Sequence, residues 1–552
     1  MGRNPGSFDE STALLKPYFG AGHPKRWRRL VAGTAIVATL ICLPYGFYYA
    51  LLTPWLLVPF TVPIAILLAV TIWVLPQART APTQTMERML FALFAALVAW
   101  PNYLAITLPG VPWITVSRLI GTPMVILFLV SLSSFSPFRR ELAAVLKDSP
   151  WVWRCVLIFT VLQGVSIAFT QQYGVSISKY FVHLTNETTA FFLCAYLFRR
   201  PGRAETWAAM LWGMAIFVGL IGIREFREER VLWAGHVPSF LLPNDETVMR
   251  ILAGSSRATT GAYRAQSVFT TSLGFSELMA LAIPFPLHFA ASKSYRLWVR
   301  LAGAASIPFM VVVILDTGSR LGLLGFFLGT MIYLFFWALR LQRANRGSLM
   351  APTILLAYPA LFSAFIALSF LVGRIKAKVW GMGQYDDSNQ ARIDQWNMGI
   401  PKIITHPFGH GVGTAGEVLG FHNLAGTLTI DSYYLAVILD YGIIGFISFF
   451  SIFVVSALHA GRYSLRITDD DRDGAFLLPL AASVVSFLAM KTFFAQDDNN
   501  PIVFMMVGII VGLTHRLRQR EAALAGRGAA IAEPREPALA WARKRRQASS
   551  PV

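Results

Sequence analysis

VGRIKAKVWGMGQYDDSNQARIDQWNMGIPKIITHPFGHGVGTAGEVLGFHNLAGTLTIDSYYLAVILDYG, residues 372–442, is the longest polar interval between two long apolar runs of the chain. The runs that bracket it, 352–371 and 433–457, carry almost no charge, and each is long enough as a helix to cross a bilayer. The interval itself holds Arg392, His406, His410, His422 and Asp431 together with a set of glycines. Polar, glycine-rich sequence held between two spanning helices is where chemistry is expected, and it fixes the fold class as helical and membrane-embedded.

The pattern extends in both directions. Of 552 residues 55% are hydrophobic and 14% charged, against about 25% charged in soluble domains, which excludes an ordinary soluble protein. Fourteen candidate spans fall at 30–50, 54–75, 89–108, 118–135, 152–170, 180–198, 206–222, 270–290, 300–316, 321–339, 352–371, 433–457, 475–494 and 501–516. The expected architecture is an all-α polytopic membrane protein. A segment of residues 1–29 precedes the membrane domain of 30–516, and 517–552, rich in Ala and Arg with three prolines, reads as a basic, disordered tail. The first 30 residues are polar and end in Lys25, Arg26, Arg28 and Arg29, so no cleavable signal peptide is expected.

The net charge of +19 would suggest nucleic acid in a soluble protein. Here most Lys and Arg lie in short loops, where they orient helices with the basic side inward. Counting from an inner N-terminus beside KRWRR at 25–29 places both termini inside, and places loops 223–269 and 372–432 and the TGSR turn at 317–320 on one outer face. Arg543, Lys544, Arg545 and Arg546 suit anionic lipid on the inner side. Cys42, Cys155 and Cys194 fall inside apolar runs and read as small buried hydrophobes.

Charge within a span is costly, so its placement is informative. Lys179, His183 and Glu187 are spaced i, i+4, i+8 and share a helix face. Glu277, Lys491 and Arg320 come from distant segments yet fall towards the same outer side, as an outward-opening polar cavity would require; snorkelling and structural ion pairs are the plainer explanation of each alone. The repeated arginines point to an anionic ligand, since the guanidinium fork suits phosphate. Asp386 with Asp387, and Asp497 with Asp498, could hold a divalent cation, but read better as solvated acidic loop tips, so no metal or other cofactor is expected.

Four motifs in order carry a family resemblance. LDTGSRLGLLGFFLG at 315–329, RIDQW at 392–396 followed by HPFGHGVG at 406–413, IDSYYLAVILDYGIIGFISFF at 430–450, and Arg264 with Ser267, Val268 and Phe269 resemble segments of the O-antigen ligase/polymerase superfamily; LPGVPWITVSRL at 108–119 is also similar. Ser432, Asp440 and Ser267 stand where that family usually has Asn, Glu and Gly, and Asp431 where many ligases have His.

The resemblance implies a helical glycosyltransferase of the GT-C kind in a bacterial inner membrane. It implies transfer or polymerisation of a glycan from an undecaprenyl-pyrophosphate donor at the periplasmic face, onto lipid A core or a growing polysaccharide, without nucleotide sugar or obligatory metal. Arg264, Arg320 and Arg392 are then expected to hold the pyrophosphate, and His410 to act as base with His422 and Asp431 as alternatives. Gly409, Gly411 and Gly413 would bring backbone amides to phosphate oxygens. The plainer roles are helix-end snorkelling for Arg264 and Arg320, a surface ion pair for Arg392 and ordinary loop positions for the histidines. A polytopic transporter and a non-catalytic assembly subunit are the competing functions. Against the first, the polar groups gather on one side rather than at the bilayer midplane.

Overall fold

The computed structural model describes positions 16, 17 and 33 and residues 67–532, leaving out 73, 78–79, 108–112, 257–260, 345–346, 348, 372, 374–385, 423–425, 427, 468–470 and 494. The described residues are helical almost throughout, with strand among them confined to two-residue pairs such as Ser255–Ser256 against Tyr263–Arg264. In chain order the helices are α1 Thr83–Ala99, α2 Val116–Ser134, α3 Ser136–Lys147, α4 Pro150–Ser166, α5 Tyr173–His183, α6 Ala190–Leu197, α7 Arg203–Glu228, α8 Glu246–Leu252 and α9 Ser272–Ala282. There follow α10 Pro284–Ala291, α11 Leu297–Asp316, α12 Arg320–Ala344, α13 Met350–Leu371, α14 Asp386–Thr405, α15 Ala415–Leu419, α16 Tyr433–Ser464, α17 Leu477–Lys491 and α18 Asn500–Ala532.

Among the described residues nine helices are long and apolar enough to cross a membrane. The chain is an all-α polytopic membrane protein. Every span expected after residue 88 corresponds to helix, although Tyr173–Leu197 is interrupted by a π-helical turn at Leu184–Thr189. The expected spans 30–50 and 54–75 lie largely outside the described residues.

Burial separates centre from rim. Of the apolar windows in Ser272–Ala291, Gly474–Lys491 and Asn500–Leu524, 83%, 83% and 94% of residues are buried. The outer helices show Leu301, Val312 and Leu315 of α11, or Val161 and Val165 of α4, to the surroundings, as a lipid-facing side requires. Lipid tails are as apolar as leucine, so close packing rather than hydrophobicity must join such helices. Small residues supply it. Gly508 and Gly512 of α18, four apart, lie directly on the backbone of α6, at Phe191 and Ala195. Gly322, Gly325 and Gly329 of α12 sit against Ser276, Met490 and Ser486. A ring cluster of Phe449, Phe453, Phe487 and Phe504 fills the space between α16, α17 and α18.

Two boundaries differ from expectation. Helix α7 runs to Glu228, so the first large loop starts later than 223. The basic tail expected from 517 is helical as far as Ala532. Arg516 is held by Asp471 and Asp473, Arg518 by Asp148 and Arg520 by Asp471. The alanines that follow favour helix. Residues 533–552 and Cys42 lie outside the described residues. Cys155 is half-buried and Cys194 buried, and both are free.

Candidate functional site

The site is built on a break in α16. Gly442 sits at φ 72°, ψ −176°, a region essentially open to glycine alone. The break frees carbonyls that a regular helix would bond internally, and the 406–413 loop uses them. The amide of His410 donates to Leu439 O at 2.8 Å and that of Gly411 to Asp440 O at 3.1 Å, while Ile443 N donates to Pro407 O at 3.2 Å. Gly409, at φ +88°, lies so close to this break that a Cβ would run into the Asp440 carbonyl. The Asp440 carboxylate completes the join, accepting from the amides of Gly413, Thr414 and Ala415 at 2.9, 3.0 and 2.8 Å. The expectation that this glycine loop offers amides to phosphate is therefore corrected: an internal carboxylate, at the position of the family's Glu, fills the amide nest.

Helix α14 runs beside the first half of α16 in the same direction: Gln395 meets Asp431, Gly399 meets Leu435 and Pro407 meets Ile443. Between them lies an open cavity of about 280 Å³, lined by Arg392, Trp396, Asn397, Ser432, Tyr434 and Phe493. The Arg392 guanidinium lies 5.3 Å from the Phe493 ring centre, and burial, partly offset by Asp431, lowers its pKa from the ordinary arginine value. Asp431 is fixed by Gln395, which accepts its amide at 2.9 Å.

Behind this cavity is a polar shaft. Lys491, one residue before the cavity-lining Thr492 and Phe493, is fully buried and pairs with the equally buried Glu277 at 3.1 Å. Its ammonium stands 4.7 Å from the Tyr433 ring. Nearer the surface Lys179 pairs with Asp497 at 2.9 Å, with His183 4.0 Å from the same carboxylate and hydrogen-bonded in turn to Gln163. Glu187, on the π-helical turn, lies against Asn500. All five residues expected to share a polar cavity thus meet around the 496–500 segment.

In that segment, Gln-Asp-Asp-Asn-Asn, the acidic pair keeps part of the expected exposure, 38% of the Asp497 side chain, but is tied to the protein rather than free at a loop tip. Gln496 O accepts from Lys491, Asp497 from Lys179 and Asp498 from Thr270 at 2.6 Å. Asn499 donates to Gly274 O and Glu277, and Asn500 to Tyr433 Oη. Burial would raise the Asp497 carboxyl, but Lys179, aided by His183 and Lys491, holds it well below the usual range. Burial, with Asp497 beside it, pushes Asp498 up to about 6. The one sequence signal was polar density immediately before a buried helix.

The remaining candidates are scattered. Arg264 donates from Nε to Thr317 O at 2.9 Å and packs on Gly318, which sets it against the turn that opens α12 at Arg320. His410 faces Leu439 O with Nδ1 at 3.1 Å; a carbonyl only accepts, so the proton is on Nδ1 and Nε2 keeps its lone pair. Burial lowers the His410 pKa, which favours this neutral form. Leu439 is eight residues from Asp431, about 12 Å along a helix, so His410 and Asp431 serve different points. His422 is exposed in the short loop that pairs with Leu428. Asp386 and Asp387 start α14, and their side chains lie outside the described part of the structure. Among the described residues no three of His, Cys, Asp and Glu converge as a metal cage would.

With this geometry in place the sequence comparison can be set beside it: residues 305–450 match the O-antigen ligase family. This stretch is similar to the O-antigen ligase and polymerase superfamily. No curated protein matches it. The matched ligase segment contains the TGSR turn, α14, the glycine loop and the break in α16, whereas Arg264, Lys179 and the 496–500 segment lie outside it. The match supports an O-antigen ligase/polymerase-type role in handling glycans for this membrane protein.

Proposed function

We propose that the chain transfers or polymerises a glycan from a polyprenyl-pyrophosphate donor, undecaprenyl in the bacterial inner membrane, at the periplasmic face. The reading is carried by the Arg392 cavity within the ligase segment, backed by the Lys491–Glu277 pair. In the reaction an acceptor hydroxyl oxygen bonds to the anomeric carbon as that carbon's bond to the pyrophosphate oxygen breaks. The hydroxyl proton passes to a protein base, and the leaving group departs with the electron pair. Arg392 balances its growing negative charge, as preorganised cations do most strongly in a dry site, and Arg264 and Arg320 hold the turn at which donor or acceptor enters. Asp431, held beside the cavity by Gln395, is the base in this arrangement; the His410 imidazole, poised as a neutral acceptor, serves a second point on the substrate. Guanidinium charge takes the part that a metal ion plays in other glycosyl transfers.

The test is a deletion strain whose lipopolysaccharide and secreted polysaccharide are both profiled, rescued by wild type or by Arg392→Ala. Loss of polymer from the core with accumulation on the lipid carrier makes the protein a ligase. Single repeat units alone make it a polymerase. Arg392→Ala is expected to insert normally and rescue neither. Full rescue by Arg392→Ala, or no change in either glycan pool on deletion, would defeat the reading. Arg392→Lys is expected to restore little, since an ammonium cannot reproduce the two-point contact.

A further inference from the structure

Helix α14 carries more than the cavity wall. Its exposed side is largely apolar, with Asn397 the polar member of the stripe: Ile393 is 53% exposed, Ile400 46% and Ile404 73%, and Phe408 follows at 57%. The three isoleucines are seven and four residues apart, so they form one stripe along the helix, about 16 Å from first to last. The stripe has two defined ends. Ile393 lines the Arg392 cavity. Phe408 stacks on Phe169, rings 6.2 Å apart, beside the Pro407–Ile443 hydrogen bond.

The second end marks a level in the membrane. Helix α16 has 32 residues, about 48 Å, against a hydrocarbon core of about 30 Å. Its exposed apolar residues are Ile443, Ile444, Ile447, Val454 and Leu458, all beyond the Gly442 break. The portion 433–441 is largely buried in the protein, so the lipid-facing surface of α16 begins at the break, and the Arg392 cavity, level with Ser432, lies some ten residues, about 15 Å, along the axis from it. A lipid pyrophosphate drawn up to Arg392 must carry the first units of its chain beyond that lipid-facing surface, where each CH₂ left uncovered is costly.

We propose that the stripe Ile393–Ile400–Ile404–Phe408 is the seat of the proximal isoprenoid units of the donor, an apolar track joining the lipid-facing surface at Ile443 to the pyrophosphate cavity. Its occupant is a polyprenyl chain because only a lipid whose head is held at Arg392 runs through both ends of the track. This rests on the function proposed above.

The experiment measures binding of radiolabelled undecaprenyl pyrophosphate and of inorganic pyrophosphate to the full chain in nanodiscs. Ile400→Ser/Ile404→Ser is expected to weaken binding of the lipid at least fivefold and to leave inorganic pyrophosphate unchanged; Ile400→Leu/Ile404→Leu is expected to bind as wild type. Unchanged lipid binding by the serine variant overturns the inference and leaves the stripe to ordinary membrane lipid. Equal weakening for both ligands also overturns it, since the substitutions then act through the cavity's shape. If the wild type binds neither ligand, the proposed function falls, and this inference with it.

Discussion

Asp497 and Asp498 are neighbours with opposite fates. Asp498 is held up at about 6 by burial and by Asp497, so between about pH 4 and its own pKa the folded state keeps a proton that the unfolded chain has released, and stability falls as pH rises through that window. Asp497 is favoured ionised; its stabilisation is complete above the ordinary carboxylate pKa and is lost as pH falls below it. The pair's combined contribution is expected to peak near pH 4. Thermal midpoints in detergent over about pH 3 to 7 check this: Asp498→Asn should flatten the decline above the peak, and Asp497→Asn the rise below it. An unchanged slope in Asp498→Asn between about pH 4 and 6 would sink the argument. Residue identity also explains what the sequence left open. Ser267 adopts φ +50°, a strained choice for a side chain. It is held there by its amide donating to buried Glu225 at 2.6 Å and its hydroxyl to Val218 O. Nothing in its neighbours' spacing announces that Glu225, more than forty positions earlier, is its partner.

Among elements, helices were legible and loops were not. Twenty-residue runs such as 297–316 declare themselves because burying backbone in lipid demands helix. The loop helix α14, with five charged residues and half its length polar, has no such compulsion; its pattern is amphipathic, and only contact with α16 shows which face turns inward. The break at Gly442 was hidden too, since Tyr-Gly-Ile-Ile-Gly within an apolar run reads as uninterrupted span. This break makes a sharp prediction. In Gly442→Ala the Cβ would lie inside van der Waals distance of the Pro407 carbonyl, in backbone geometry alanine rarely takes. The expected cost is of order 3 kcal/mol or more, seen as a lowered thermal midpoint and as proteolysis of the loop around 406–413. Wild-type stability in that variant would mean that the loop and the helix are not locked together.

At the scale of the whole molecule, counting spans gave the order and number of most helices but not the clasp at the end opposite the site. There Arg516 bridges Asp471 and Asp473, all three nearly buried, while Asp148 takes His515 and Arg518. In sequence these are six ordinary ionisable residues near loop ends; only the meeting of three distant segments makes them structural. Arg516→Ala leaves two buried carboxylates short of their partner and is expected to cost about 3 kcal/mol, lowering yield and thermal midpoint while retained glycan transfer per folded molecule separates this from a catalytic loss. An unaltered midpoint would show the clasp to be incidental.

The segment Gln496–Asn500 connects five successive residues to five places: Lys491, Lys179, Thr270, the Gly274–Glu277 turn and Tyr433. Such a stretch has no slack. A single inserted residue would put every later partner out of phase, whereas a substitution disturbs one. In a transposon or epitope-tag scan this loop should be a cold spot among connectors of its length, and in divergent descendants it should change letters long before it changes length.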